Sequence, residues 1–431
     1  QPGQRCRLLA EPRRVVVVDL GGDPGGVRIL GRRGAARWSA VAPGRVNAVA
    51  SWFRVGLAGG EVTNAPLLSC EGGGAQLGAA GMKQAVHYLA DEVEALPGSA
   101  LDLAWQLADG ADGLHWAVHR ERAGQRPARP LACGEDSRAL PILAYHFAMV
   151  ADGVRNEAFA AGLLGALRAV RAGVGGRRPR VLDVGAGSGL LSLLAARLGA
   201  EVVAAEMVPR LHDAAAEVLA RNRGGGRVEL LPPGPSTELL DPARERFDVV
   251  VAEIFDTALL GEGAVPSLRH AASLLQPWGL LVPAAAVVRV QPVELCPLDG
   301  TAWDLGALHE ALFSGAGGRA LRLPTLPHRL LGPAVEALRI DFASLPQRLP
   351  STPARVELPV SQRGRFTALV WWFELQFPGG GALSAGAESR QRTWKQMAVF
   401  LAAPHDVDAG DVVHALVAYD ESRLTITYAS P

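Results

Sequence analysis

The sequence has little cysteine, no net charge and no long apolar run. Its four cysteines (Cys6, Cys70, Cys133 and Cys296) lie far apart and form no C-x-x-C pair. That speaks against a disulfide framework and against a structural zinc site, so no metal is expected. Forty-three basic and 43 acidic residues cancel to zero, which argues against recognising nucleic acid or a membrane surface through bulk basic charge. No uncharged apolar run reaches the ~18 residues needed to span a bilayer. Glycine (50) and proline (30) are numerous but stay below the ~25–30 % that marks low-complexity disorder. What is present is 49 % hydrophobic residues in 431, ample for buried cores, and a length that implies about three domains. The chain begins at Gln1 without a signal-peptide pattern. It reads as a fragment or processed form of a soluble, intracellular, multidomain protein.

The first ~120 residues carry strand signals. Residues 14–20 form a short apolar run, and residues 45–57, 84–89 and 100–107 are further strand candidates, the first partly alternating with period two, with a Pro97-Gly98 turn between the last two. Residues 121–138 are polar and proline-containing, as a linker would be. Helical spacing then appears over residues 139–172. It is followed by strands at 180–185, 201–206, 227–231, 247–252 and 279–284, with helices at about 189–198 and 209–222 between them. Such alternation implies a parallel, doubly wound sheet. Short strands and turns return after about residue 286.

Residues 44–55 (GRVNAVASWFRV) resemble 364–375 (GRFTALVWWFEL), and residues 82–89 (MKQAVHYL) resemble 394–401 (WKQMAVFL). The first pair is offset by 320 residues and the second by 312. Two matched blocks in the same order imply a duplicated β-module on either side of the α/β domain.

Residues 181–189, VLDVGAGSG, form a glycine-rich turn that leaves a strand and opens a helix. Gly185, Gly187 and Gly189 let a ligand approach the backbone. The first rival ligand is a nicotinamide dinucleotide. The spacing G-x-G-x-G after Asp183 favours a cationic ligand instead, because a carboxylate beside the loop suits a sulfonium with an amino-acid head better than a pyrophosphate. Glu206 closes the next strand, where a carboxylate accepts ribose hydroxyls. Together these residues point to S-adenosylmethionine.

After the strand at 247–252 comes AEIFDTALLGEG. Glu253 and Glu262 stand nine residues apart with Asp256 between them, in an otherwise apolar loop at the sheet edge where α/β proteins bind ligands. A lone loop glutamate is ordinarily a solvated charge. Two beside a methyl-donor site can hold a guanidinium bidentately and draw charge away from its attacking nitrogen.

These segments, with YHFAMVADGVRNEAF (residues 145–159) and QRTWKQMAVFL (residues 391–401), resemble the signature set of the protein arginine N-methyltransferases. The pattern M-x-x-D-x-x-R-N and the loop EIFDTALLGEGAVPS most resemble branch 7 of the family, with branch 9 second. The resemblance covers residues 139–431 as one complete module. It implies an α/β plus all-β architecture: a seven-stranded Rossmann-like methyltransferase domain at 139–290, then a substrate-binding β-barrel at 291–431 with a dimerisation arm in 297–335. An incomplete first module would supply a barrel at 1–120, with a methyltransferase domain ahead of Gln1.

By the same resemblance, Arg155 binds the donor carboxylate, and Asp183, Gly185 and Gly187 line the methionine and ribose. Glu206 binds the ribose hydroxyls. Ser236, Thr237 and Glu238 lie near the adenine. Met149 packs at the reacting centre, and Trp394 belongs to the substrate pocket. Glu253 and Glu262 are the catalytic carboxylates. The family's Thr-His-Trp loop reads Arg392-Thr393-Trp394 here, which leaves Asp152 without its histidine partner and puts that hydrogen-bond arrangement in doubt. The resemblance implies arginine-containing protein substrates (histones or Arg/Gly-rich proteins), a homodimer or a pseudo-dimer through the tandem module, and a cytoplasmic or nuclear setting. The rival readings are a non-catalytic scaffold of the same fold and a methyltransferase for another acceptor.

Overall fold

The computed structural model describes short stretches between residues 5 and 120, then residues 148–222, 226–295, 318–349 and 352–429. The chain divides into two units, Gln1–Leu140 and Pro141–Pro431. The expected linker at 121–138 and residues 297–317 of the expected arm lie outside the described residues.

In the first unit, β1 (Arg33–Ser39), β4 (Ala100–Leu107) and β5 (Leu114–Arg120) form an antiparallel sheet in the order β5-β4-β1, and β2 (Gly44–Ser51) pairs with β3 (Ala85–Ala95). Shorter strands include Val17–Asp19, within the run 14–20 read as a strand. Among the described residues, the apolar side of these ribbons packs Ala40, Val49, Ala95, Leu101, Leu103, Trp105 and Val118 into one core. The Trp105 ring lies against Gly34, where a Cβ would strike it.

The second unit opens with α1 (Gly153–Ala169), capped by the Asp152 side chain, which accepts from the Arg155 N–H. Strands β6 (Arg180–Val184), β7 (Glu201–Ala205), β8 (Val228–Leu230), β9 (Phe247–Ala252) and β10 (Leu275–Val282) form one sheet in the order β8-β7-β6-β9-β10, all parallel. Helices α2 (Leu190–Arg197), α3 (Pro209–Arg221), α4 (Ser236–Leu239) and α5 (Ala264–Ser273) lie between successive strands. Every residue of β9 is buried, the continuous apolar run of a strand covered on both faces. The chain runs outward from β6 through β7 to β8, then resumes on the other side at β9. The order therefore reverses between β6 and β9, and a ligand crevice opens at the carboxyl ends of these strands.

The parallel sheet has five strands, where seven were expected. After β10 the chain enters β11 (Ala285–Leu295), whose two edges are taken antiparallel by β12 (Val335–Asp341) and β14 (Gly364–Gln376). Nearly every β11 residue is buried in that second sheet, so the apolar run that would have extended the parallel sheet is used elsewhere. Among the described residues no further strand joins the five. The antiparallel part accordingly begins at 285, ahead of the expected boundary after 290. It continues with β13 (Ala354–Pro359), β15 (Gln396–Val407), β16 (Val412–Tyr419) and β17 (Leu424–Ala429). One buried core runs from Phe159 on α1 through both sheets to Ile426.

The sequence repeat is matched by strand register. In the first unit Ser51 pairs with Ala85 and, past an irregularity, Gly44 pairs with Ala95. In the second, Trp371 pairs with Met397 and, past an irregularity, Gly364 pairs with Val407. The offsets of 320 and 312 convert each first-unit pair into its second-unit counterpart. They also convert Ser39 opposite Ala100 into Pro359 opposite Val412.

Candidate active site

The loop after β6 turns through Gly185, Gly187 and Gly189, all at positive φ (+76°, +54° and +77°), a conformation that glycine reaches without steric cost. At Gly185 a Cβ would also meet the Ile254 side chain at 2.6 Å. The glycine loop after β6 and the carboxylate loop after β9 are therefore in direct contact. Glu206, at the end of β7, accepts from the Gly187 N–H and the Val208 N–H, each at 2.8 Å. Its two oxygens have lone pairs to spare for hydroxyl donors. Met207 beside it is exposed.

Asp183 is fully buried. Its Oδ2 accepts from the Ser192 hydroxyl at 2.6 Å, while Oδ1 has no partner. Arg155, buried on the first turn of α1, pairs with the Glu253 carboxylate and lies 5.6 Å from the Phe159 ring centroid, and its Nε has no partner. An unpartnered buried acceptor and an unpartnered buried donor beside a glycine loop fit a ligand carrying an ammonium and a carboxylate.

A latch ties the start of α1 and the carboxylate loop to residues 392–394. Asp152, buried at the cap of α1, also accepts through Oδ2 from the Arg392 N–H (2.6 Å), the Thr393 N–H (3.0 Å) and the Thr393 hydroxyl (2.9 Å). Asp152, expected to lack its histidine partner, is thus bonded to the Thr393 hydroxyl and two backbone N–H groups. Trp394 next to it is buried, packs edge-on against Phe373, and donates its indole N–H to the Phe255 carbonyl at 2.7 Å. Phe255 lies two residues past Glu253.

The carboxyls here titrate abnormally. Burial pushes Asp183 up to about 6, with Glu206 and Glu253 adding to the shift and the Ser192 bonds opposing it. Burial also raises Glu253, against the pull of Arg155 and the Phe255 N–H. Glu262 stands exposed at the rim, with nearby protein still withdrawing part of its water. This desolvation, with the charges of Glu253 and Asp256, pushes it up to about 7. Such clusters of perturbed carboxyls mark functional sites.

The structure thus brings Arg155, Asp183, Gly185, Gly187, Glu206, Glu253 and Glu262 around one sheet edge. Trp394 sits beneath the loop. Met149 is half-buried one turn ahead of α1, with its carbonyl accepting from the Asp152 N–H. Ser236 is buried on α4, and Thr237 and Glu238 are exposed. Sequence reasoning missed Ser192, which donates to Asp183, and the Phe255 carbonyl, which accepts from Trp394.

Residues 164–271 match the family described as ribosomal protein L11 methyltransferase, and residues 320–427 match the arginine methyltransferase oligomerization subdomain. The arginine N(omega)-methyltransferase of Streptomyces achromogenes subsp. streptozoticus is 34 % identical over 294 residues, covering 66 % of this chain and 78 % of that protein. The chain belongs to the arginine methyltransferase family. Protein arginine N-methyltransferase 7 of Danio rerio is 29 % identical, covering 64 % of this chain and 44 % of the relative, so the chain spans under half of that protein. In fold, the PRMT1 enzyme-prozyme heterotetrameric complex of Trypanosoma brucei with AdoHcy shares 18 % identity at a TM-score of 0.53, covering 64 % of this chain and 87 % of that one. As an arginine methyltransferase the chain takes S-adenosylmethionine as its donor, and the buried, unpartnered atoms of Asp183 and Arg155 fit that donor's amino-acid head.

Proposed function

We propose that this arginine methyltransferase modifies the guanidinium of arginine in protein substrates, with Glu253 and Glu262 as the clamp. The observation that carries the reading is the direct contact between the glycine loop and the loop holding both glutamates. When bound, S-adenosylmethionine supplies an activated methyl group. Arg155 Nε and Asp183 Oδ1 hold the carboxylate and ammonium of its head, Glu206 its ribose, and the segment Ser236, Thr237 and Glu238 its base. Glu253 and Glu262 accept hydrogen bonds from the guanidinium, turn one terminal nitrogen toward the glycine loop and draw charge to the others. Glu262, raised to about 7, is suited to take up the proton that the modified nitrogen releases. Transfer of a labelled methyl group to an Arg/Gly-rich peptide tests this. No transfer by the wild type, or unchanged transfer by Glu253→Gln, overturns it. Donor binding that weakens in Glu206→Ala separates an enzyme from a scaffold of the same fold.

A second acceptor is favoured by one observation: the Streptomyces relative is named for arginine itself. Free arginine competing with the peptide at equal concentration decides between the two. We also read the first unit as a second copy of the barrel strands. Its support is the register that the two units share. The first copy has Met82 where Trp394 stands, so its role is architectural. A paired assembly is supported by the match of 320–427 to an oligomerization subdomain, and light scattering tests it.

A further inference from the structure

Leu259 is the one non-glycine residue among those described with a positive φ, +74°. It lies between Glu253 and Glu262, and its side chain is fully buried in the core of the second unit. The Leu260 N–H donates to the Ala258 carbonyl at 3.0 Å, closing a three-residue turn around it. A γ-turn with φ near +75° is the rare and strained form of that turn, and a bulky side chain is out of place in it. The turn is pinned on both sides. The Leu259 N–H donates to the Asp256 carbonyl at 2.9 Å, and the Gly261 N–H donates to the Asp256 carboxylate at 3.1 Å. A Cβ at position 261 would strike that carboxylate. A leucine persists at such a φ only where its surroundings over-determine it, and here the anchor is the buried side chain.

We propose that Leu259 is a positioning residue for methyl transfer, its buried side chain holding a strained turn that sets where Glu262 stands against Glu253. The proposal rests on the reading of the two glutamates as a guanidinium clamp. Glu262 follows Leu259 by three residues. The charged groups that face it are Glu253, Asp256 and Arg155, and Asp256 is the residue to which the turn itself is bonded. Any shift of the turn moves Glu262 relative to all three, and a displacement of about an ångström at a reacting group costs up to ~100-fold in rate.

Three variants in the full chain separate backbone from burial. Leu259→Met keeps the burial and the same backbone cost, and its acceptor kcat/KM is expected within about threefold of wild type. Leu259→Val keeps apolar burial but resists positive φ. Leu259→Gly relaxes φ and removes the anchor. Both are expected to bind S-adenosylmethionine as wild type does in calorimetry, yet to lose ~10- to 100-fold in kcat/KM for an Arg/Gly-rich peptide. The ¹³C carboxyl titration of Glu262, assigned with Glu262→Gln, is expected to move in Val and Gly and to stay in Met. A merely structural role would not move that titration. The proposal is overturned if Val matches Met in kinetics and titration, or if donor affinity falls in step with acceptor efficiency. Should wild type transfer no methyl group to arginine, the functional reading fails, and the Glu262 titration alone still decides the role of Leu259.

Discussion

Burial lifts Asp183, Glu253 and Glu262 above the ordinary carboxyl range, and for Asp183 and Glu262 the consequence can be measured. Glu262 is pushed to about 7 at a rim shared with Glu253 and Asp256. Below that pH it keeps its proton and, as the proposed clamp, would offer a guanidinium only a neutral oxygen. We therefore expect acceptor kcat/KM to rise with pH through about 7 on a one-proton limb. In Glu262→Gln that limb is gone and kcat/KM is lower by ~100-fold or more, as a pH profile will show. Asp183 is raised from 3.8 to about 6. A carboxyl with a raised folded value contributes stability that is fully present below about pH 4 and lost as pH rises through about 6. Asp183→Asn keeps an acceptor for Ser192 and carries no charge. Without donor it should melt higher than wild type at pH 8, by at most about 3 kcal/mol of stability, and near wild type at pH 4. Its donor affinity should fall. Melting at the two pH values, with calorimetry, checks both halves.

At the scale of elements, the latch joins the start of α1 to the segment before β15. Asp152→Ala removes an N-cap and leaves the N–H groups of Arg392 and Thr393 without their acceptor. The expected loss is about 2–4 kcal/mol, while Thr393→Val costs about 1 kcal/mol. Urea titration of both variants measures the difference. The sequence made parts of this readable and hid others. Strands β6 and β9 were legible because buried parallel strands are apolar without alternation. The glycines were legible because positive φ favours them, and Glu253 and Glu262 because carboxylates are conspicuous in an apolar loop. The bond from Thr393 to Asp152 spans 241 residues, and that from Arg155 to Glu253 spans 98. No local period encodes such meetings. Leu259 carries no turn signal at all, since leucine reads as core, and core is also what it is. The fate of β11 was hidden because an apolar run fits either sheet until its edge partners are known.

At the scale of the whole molecule, all the groups assigned to the site, and one continuous core, lie within Pro141–Pro431. That unit produced alone should fold and bind S-adenosylmethionine with the affinity of the full chain. A tenfold weaker calorimetric Kd would show that the first unit contributes to the donor site. The first unit keeps the register of the second and, among the described residues, has a core separate from the second unit's, so it should unfold as a separate transition on heating.

Arg155 lends one nitrogen to Glu253 and keeps another buried and unpartnered. A donor carboxylate that engages Arg155 draws on a cation that Glu253 already uses. The two pockets are then linked in free energy, and linkage is reciprocal. Whatever factor a filled donor pocket applies to the affinity for a guanidinium, a filled acceptor pocket applies to the affinity for the donor. On the proposed roles of Arg155 and Glu253, one side chain would make the two substrates each other's effectors.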